Sequence, residues 1–360
     1  MSEIILDRDH YLELEKIALG AFSPVTGFMN EDEFRSVAND MRLPSGEVFP
    51  IPILLDVSRD HAESLRGSTR VALVFDGKEV GEIKPENFFS VDKDEWIPKL
   101  FDTTDPNHPG VAAFKACGEC FVGGPVTLLN KVKLDISQYE LSPNETRSLF
   151  AKNGWSTVAC FHTRNAPHRA HEFLQRLALD ICDGLFIQPM LGRKKVGDFT
   201  PDAIMTGYRT LVSDFYPAGR VVLGALSTAC RYAGPREAVF HALVRRNYGG
   251  THMVIGRDHA GVVDYYDKYD SQALCKRFEA ELGIEILAFQ APHYCTRCDG
   301  IVTEKTCPHI LSEPEAVTDV SGTDIRAILS SGKRPAPHIF RPEILDSIEG
   351  LELFIGDSTN

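Results

Sequence analysis

Ser156-Thr-Val-Ala-Cys-Phe161 is a short apolar run, and His162-Thr-Arg-Asn-Ala-Pro-His168-Arg-Ala-His171 follows it without a break. The chain then enters residues 170–182, where Phe173, Leu174, Leu177, Ala178 and Ile181 recur on one 3.6-residue stripe. A buried strand, a polar loop and an amphipathic helix therefore succeed one another within some thirty residues. Similar strand-like runs lie at 184–190, 220–226, 251–256 and 284–289, spaced roughly 28 to 36 residues apart. That spacing leaves room for helical crossovers, such as residues 235–248, which open with Pro near the first turn and stop at Gly249-Gly250. Parallel strands joined by crossovers imply an α/β, doubly wound parallel sheet, in which ligands bind beyond the carboxyl ends of the strands.

Outward from this core the pattern changes. Residues 1–138 read as a β-rich unit, with apolar runs at 49–57, 70–75 and 124–129 between Gly-, Pro- and Asp-rich turns and no helical alternation. Leu141-Ser-Pro-Asn-Glu marks a helix start, with Ser142 as cap and Pro143 in the first turn, so a boundary is expected just before it. The division is thus 1–138, 139–310 and a small C-terminal subdomain at 311–360, without repeats or low-complexity tracts.

Charge narrows the function. Lys and Arg number 38 against 51 Asp and Glu, a net charge of −13, which disfavours nucleic acid and anionic membranes as partners. No apolar run approaches the ~18 residues of a membrane span. The acidic start, MSEIILDRDHYLELEK, does not read as a secretory signal. The compartment expected is the cytoplasm, where nine cysteines, an odd number, stay reduced.

Chemistry concentrates at the strand ends. His168 and His171 are three apart and share a face of the helix's first turn, with Gln175 one turn on. Together with Arg164 and Asn165 at a helix N-terminus, they form an anion site; surface histidines are the bland alternative. A zinc site at His168-x-x-His171 lacks a nearby carboxylate or Cys to complete it. Leu191-Gly-Arg-Lys-Lys195-Val-Gly-Asp198 could wrap a polyphosphate, although such a run alone is more often a solvated turn. Gly256-Arg257-Asp258-His259-Ala260-Gly261 offers a guanidinium fork among glycines. Arg231-Tyr-Ala-Gly-Pro-Arg236 is expected to shape a second loop at this edge, while Ser321-Gly-Thr-Asp-Ile-Arg326 is equally a plain helix cap or a ligand contact.

Cys295-x2-Cys298-x8-Cys307-x-His309 supplies three thiolates and one imidazole, the complement of a closed structural zinc site, with Asp299-Gly300 as the knuckle turn. Four protein ligands leave no open position for catalysis. Cys117-Gly-Glu-Cys120 has no second pair nearby and reads as two reduced cysteines in a turn.

Taken together these motifs resemble the ATP sulfurylase (sulfate adenylyltransferase) family, in its prokaryotic form without a fused kinase, nearly end to end. The resemblance runs from Gly20-Ala-Phe-Ser-Pro-Val-Thr-Gly-Phe-Met29 through Met41-Arg-Leu-Pro-Ser-Gly, Asp102-Thr-Thr-Asp and His108-Pro-Gly-Val to the strand-end motifs and Ser321-Gly-Thr. It implies a PUA-like N-terminal domain, a nucleotidyltransferase-type catalytic domain, Mg²⁺ with ATP, zinc at the four-ligand cluster, and a homodimer. The reaction implied is ATP and sulfate to adenosine 5′-phosphosulfate and pyrophosphate. It implies that Arg164 and Arg257 hold sulfate with backbone near Ala260, and that His168 and His171 bind ATP phosphates and meet the leaving pyrophosphate. Thr163 and Asn165 belong to the same catalytic motif, Gly256, Asp258 and His259 to the second, and Lys195 with Asp198 would close a loop over the site. The absence of a G-x-x-x-x-G-K-[ST] loop matches the lack of a kinase.

Two departures stand out. His162 occupies a sulfate-facing position where the family has Gln, and its charge is expected to vary near neutral pH. Cys230 stands where Met commonly precedes Arg-Tyr-Ala-Gly-Pro. These changes leave two rivals: a related nucleotidyltransferase using another oxyanion, and a catalytically inactive zinc-containing paralogue.

Overall fold

The computed structural model describes residues 2–262 and 264–356. Its N-terminal part is built on a seven-stranded sheet: β1 (Glu3–Ile5), β2 (Gly27–Phe28), β3 (Asp56–Val57), β4 (Val71–Phe75), β5 (Lys78–Ile83), β6 (Asn87–Phe89) and β7 (Cys120–Leu128). The order is β1-β4-β5-β7-β2, with β3 and β6 also pairing with β7. Five helices accompany these strands: α1 (Arg8–Ala18), α2 (Glu31–Asp40), α3 (Arg59–Leu65), α4 (Lys93–Phe101) and α5 (Pro109–Ala116). The expectation of no helical alternation in this part is therefore corrected. Their signals are mostly caps rather than stripes: Asp7, Asn30, Ser58, Asp92 and His108 each accept a backbone N–H at a helix start. The apolar run at 49–57 also forms only β3 at its end, because Pro50 and Pro52 cannot donate to a ladder.

The second part begins with α6 (Pro143–Lys152), whose Ser142 and Glu145 form a reciprocal capping box. Five strands follow: β8 (Val158–Thr163), β9 (Gly184–Pro189), β10 (Val221–Leu223), β11 (His252–Ile255) and β12 (Glu285–Ala288). Every pairing between them is parallel, in the order β10-β9-β8-β11-β12. The crossover helices are α7 (Arg169–Ile181), α8 (Pro201–Phe215), α9 (Gly234–Asn247) and α10 (Asp270–Leu282). Strand order reverses at β8, so the loops leaving β8 and β11 diverge to opposite faces and open a crevice between them.

One detail of α7 departs from the stripe. Leu177 and Ile181 are exposed at 37% and 56%, whereas Gln175 is buried. Gln175 accepts from Tyr216 Oη at 2.9 Å and donates to Tyr208 Oη at 3.4 Å, so the helix buries a hydrogen-bonded amide instead.

A third, three-stranded antiparallel sheet joins β13 (His293–Cys295), β14 (Gly300–Val302) and β15 (Val317–Asp319), with the short helix α11 (His309–Ser312) between the last two. α12 (Gly322–Ser330) and α13 (Pro342–Ser347) complete the chain. Residues 353–355 are strapped back onto the second part: Ile355 N donates to Asp198 O at 2.8 Å and Thr200 N to Leu353 O at 2.9 Å. Glu172 of α7 also gathers Arg169, Arg176 and Arg341 within 2.9 Å. One continuous apolar core runs through both main parts. Among the described residues no helix is long and apolar enough to cross a membrane.

Candidate active site

The crevice between β8 and β11 deepens into a cavity of about 880 Å³. From the β8 loop it is lined by His162, Thr163, Arg164, Asn165, His168 and His171. From the β11 loop come Gly256, Arg257, Asp258, His259 and Ala260, and from the loop after β9 come Lys195 and Asp198. The structure thus brings every substrate-site residue singled out from the sequence to one hollow. It adds Arg326 of α12, which donates to Asn165 Oδ1 at 2.6 Å and lies 3.9 Å from Asp198.

Local backbone explains the fit. Asp258 and Ala260 both sit at positive φ, 51° and 61°, curling the β11 loop back so that its backbone faces the cavity. Gly261 lets the loop pack closely there, since a Cβ would fall 1.9 Å from Asp258 Oδ1 and push that carboxylate aside. Arg164 reaches across and donates to Gly261 O at 3.0 Å, with its guanidinium 4.9 Å from the centre of the Tyr232 ring. Asn165 N donates to Thr163 Oγ1 at 3.0 Å, which tightens the turn ahead of α7.

The electrostatics differ from a ring of uniformly positive groups. Arg164 forms no ion pair with a carboxylate among the described residues, and Arg257 has one distant partner, Asp319 Oδ2 at 3.5 Å. The histidines, by contrast, are neutral. Burial, reinforced by His171 and Arg326, holds His168 well below its ordinary range. Burial alone brings His171 to about 3. His168 stands at the extended N-cap of α7 rather than inside its first turn, yet the two rings stack at 3.7 Å, and Tyr208 Oη lies 3.2 Å from His171 Nδ1. The expectation that His162 changes charge near neutral pH is corrected likewise. Desolvation, reinforced by His241, Arg245, His259 and Arg164, holds it well below its ordinary range. These imidazoles are neutral N–H donors beside fixed guanidinium charges. Burial also raises Asp258 to about 6, against the pull of Arg164 and Arg257.

The basic turn after β9 divides its labour. Lys195 lines the cavity, and its backbone N donates to Tyr232 Oη at 2.9 Å. Lys194 instead turns inward, donates to Phe199 O at 2.6 Å and is lowered to about 8 by burial. Arg193 pairs with Asp9 of α1 at 2.7 Å. Arg231 and Arg236 also leave the cavity. Arg231 pairs with Glu13, and Arg236 donates to Val37 O, Ala38 O and Pro50 O, clamping the catalytic part to the N-terminal one.

The Cys/His cluster forms a separate centre. Cys295 and Cys298 flank the turn between β13 and β14, with Asp299 at φ 49°; Cys307 and His309 close on them from the loop into α11. His309 Nδ1 lies 3.5, 3.4 and 3.6 Å from the sulfurs of Cys295, Cys298 and Cys307, and Cys298 and Cys307 are 3.7 Å apart. Tetrahedral zinc with bonds of ~2.3 Å to S and ~2.05 Å to N demands edges of about 3.8 Å (S to S) and 3.6 Å (S to N), so the donor set fits that ion. The sheet carrying this cluster reaches the cavity: Asp319 of β15 holds His293 Nδ1 at 2.5 Å with one oxygen and Arg257 with the other. Cys117 and Cys120 line neither centre; Cys117 is pushed up to about 11 by burial and so does not read as reactive, and Cys120 is buried.

Three participants escaped the sequence reading. Arg326 was weighed evenly against a cap. Asp319 has no local signature. Arg245, fully buried behind His162, showed itself only as a charge inside the apolar stretch of α9.

Comparison with known proteins agrees with this architecture. Residues 1–131 match the model of the PUA-like domain, and residues 137–350 match that of ATP-sulfurylase. A sulfate adenylyltransferase of Thermococcus onnurineus is 40% identical over 347 residues, covering 96% of this chain and 90% of its own. That of Symbiobacterium thermophilum is 42% identical over 355 residues, covering 98% and 90%. Among solved structures, a hexameric APS kinase from Thiobacillus denitrificans is 20% identical with a TM-score of 0.74. The match covers 97% of this chain but 62% of that one, a likeness of fold. With the strand-end motifs converging on one cavity and family similarity along nearly its whole length, the chain belongs to the ATP-sulfurylase family.

Proposed function

We infer that the chain is a sulfate adenylyltransferase, converting ATP and sulfate to adenosine 5′-phosphosulfate and pyrophosphate. The observation that carries this reading is a single cavity lined by Arg164, Arg257, His168 and His171. A sulfate oxygen attacks the α-phosphorus and forms the new P–O bond, while the bond from that phosphorus to the bridging oxygen breaks and pyrophosphate leaves with its electrons. Sulfate is fully ionised at neutral pH, so no general base is required. The barrier is repulsion between anions, roughly 4 kcal/mol for each pair of unit charges 4 Å apart at an effective dielectric of 20.

Arg164 and Arg257, with the backbone at Ala260, are read as the sulfate holders, in donor geometry that bidentate guanidinium groups supply. His168 and His171 donate neutral N–H groups to the phosphates and to the charge growing on pyrophosphate. Asn165, fixed by Arg326 and Thr163, orients the phosphate chain, and Lys195 with Asp198 closes the β9 loop. Mg²⁺ enters with ATP as part of the substrate and offsets phosphate charge. Gly256, Asp258 and His259 shape the β11 rim. Zinc at Cys295, Cys298, Cys307 and His309 would supply a structural cross-link, which suits a small sheet with little core of its own. The N-terminal unit braces the cavity through Arg231 and Arg236.

The reading extends to a cytoplasmic homodimer. The nine cysteines are all free, which suits a reducing compartment. The exposed Leu177 and Ile181 of α7 offer apolar area to a second copy. Light scattering should give twice the 40.0 kDa chain mass, and a monomer overturns that part.

The deciding experiment is pyrophosphate release from ATP, titrated with sulfate and with other oxyanions. Release that depends on sulfate is expected. Release with a different oxyanion only would favour a related nucleotidyltransferase, and none with any anion an inactive paralogue.

A further inference from the structure

We propose that Arg245 acts as a positioning residue: it fixes His162, already read as facing sulfate, with its proton on Nε2, so that the ring offers that anion an N–H. The inference rests on the reading that sulfate binds in this cavity. Arg245 itself has no exposed surface and does not line the cavity. Its Nη2 lies 3.0 Å from His162 Nδ1 and 3.0 Å from Gln188 O. A guanidinium has only donors, so Nδ1 must accept, and the ring's single proton is left on Nε2. Protonating Nδ1 would set two donors against each other.

Two further observations point the same way. Arg245 Nε and Nη1 have no hydrogen-bond partner, and no carboxylate pairs with this guanidinium among the described residues. A buried cation left unbalanced is costly, and an anion arriving beyond His162 would compensate it through the ring. His162 is also held against rotation. It stacks on His241 at 3.9 Å, and His241 Nδ1 in turn lies 3.0 Å from His259 Nε2.

The same three imidazoles are close enough to suggest a shared metal ion. Face-to-face rings direct their lone pairs side by side rather than toward one point, His162 Nδ1 is already occupied, and two guanidinium groups repel a cation. The arrangement is a donor array for an anion.

The test follows the sulfate KM, the ATP KM and kcat in pyrophosphate release. H162L should raise the sulfate KM about 10- to 100-fold, the weight of one hydrogen bond to a charged group, without moving the ATP KM. H162Q should recover at least tenfold of that loss. R245M should raise the sulfate KM about tenfold alone but add nothing in the H162L background. An unchanged sulfate KM in H162L, or an equal penalty from R245M in both backgrounds, overturns the proposal. Nitrogen-15 NMR of the parent's histidine rings reads the tautomer directly, even if R245M does not fold. Nε2–H is expected for His162, and Nδ1–H or a doubly protonated ring contradicts it. Absence of any sulfate-dependent release in the parent would refute the functional reading instead, and the ring measurement would still decide this one.

Discussion

Histidine meets opposite fates in two parts of this molecule. At the junction between the N-terminal and catalytic parts, His10 sits 2.9 Å from Asp7 and 3.1 Å from Asp56. Burial there favours the neutral ring, but the two carboxylates outweigh it and raise its pKa to about 10. Lys16 nearby is likewise buried between Glu15 at 2.8 Å and Glu140 at 2.9 Å, and these hold it above its ordinary range despite burial. In the cavity, burial goes unopposed by close carboxylates at His162, His168 and His171, and neighbouring guanidinium groups push His162 and His168 further toward neutrality. The junction is charge-balanced and structural. The cavity is left with surplus positive charge, which is what a site for two anions requires.

Four predictions would break or sharpen that contrast. The largest effect belongs to Arg164→Ala, which should lower turnover at least about 1000-fold, as expected for losing a charge that meets the transition state. Its melting temperature should hold, because the half-buried side chain gives up only a hydrogen bond to Gly261 O and a contact with the Tyr232 ring. A variant that unfolds would place Arg164 with the structural group. Next, Lys16→Met should cost about 3–5 kcal/mol in urea unfolding, since two buried carboxylates lose their partner. A loss below 1 kcal/mol would contradict a structural role for the balanced cluster.

Third, the two histidine groups predict opposite pH slopes. His171, at about 3, and His241, at about 4, take up protons only when unfolded between those values and about 6.5. Each therefore costs about 1.4 kcal/mol of stability per pH unit as pH falls below 6.5. His10 does the reverse. Its contribution is complete below 6.5 and is lost as pH rises toward about 10. Unfolding measured from pH 4 to 10 should show both limbs, and His10→Gln should flatten only the alkaline one. Smallest is Asp319→Asn, or chelation of any metal held by the Cys/His cluster, each loosening the strand that holds Arg257. The sulfate KM should rise about threefold with the ATP KM unmoved, whereas a parallel rise in both would indicate general disruption.

Much of the catalytic part was legible in the chain. Apolar runs at helix-crossover spacing identify a parallel sheet because buried parallel strands tolerate little else, and the loops after β8 and β11 carry their chemistry contiguously. The Cys/His cluster was readable for the same reason, its ligands lying within fifteen positions. The helices of the N-terminal part were not, since caps such as Asn30 and His108 signal a start without an accompanying stripe. Nor were the charge states. His162 and His10 are the same side chain in sequence, and burial with Arg245 at one, against Asp56 joining the neighbouring Asp7 at the other, decides which is protonated. Arg326 and Asp319 act through contacts more than sixty residues away, which no local pattern encodes.

A crystal structure with adenosine 5′-phosphosulfate bound tests the account most directly. It should place the sulfate group between Arg164 and Arg257 against His162, with the α-phosphate toward His168 and His171 in the crevice between β8 and β11. A ligand seated outside that crevice, or a sulfate group touching neither arginine, would contradict it.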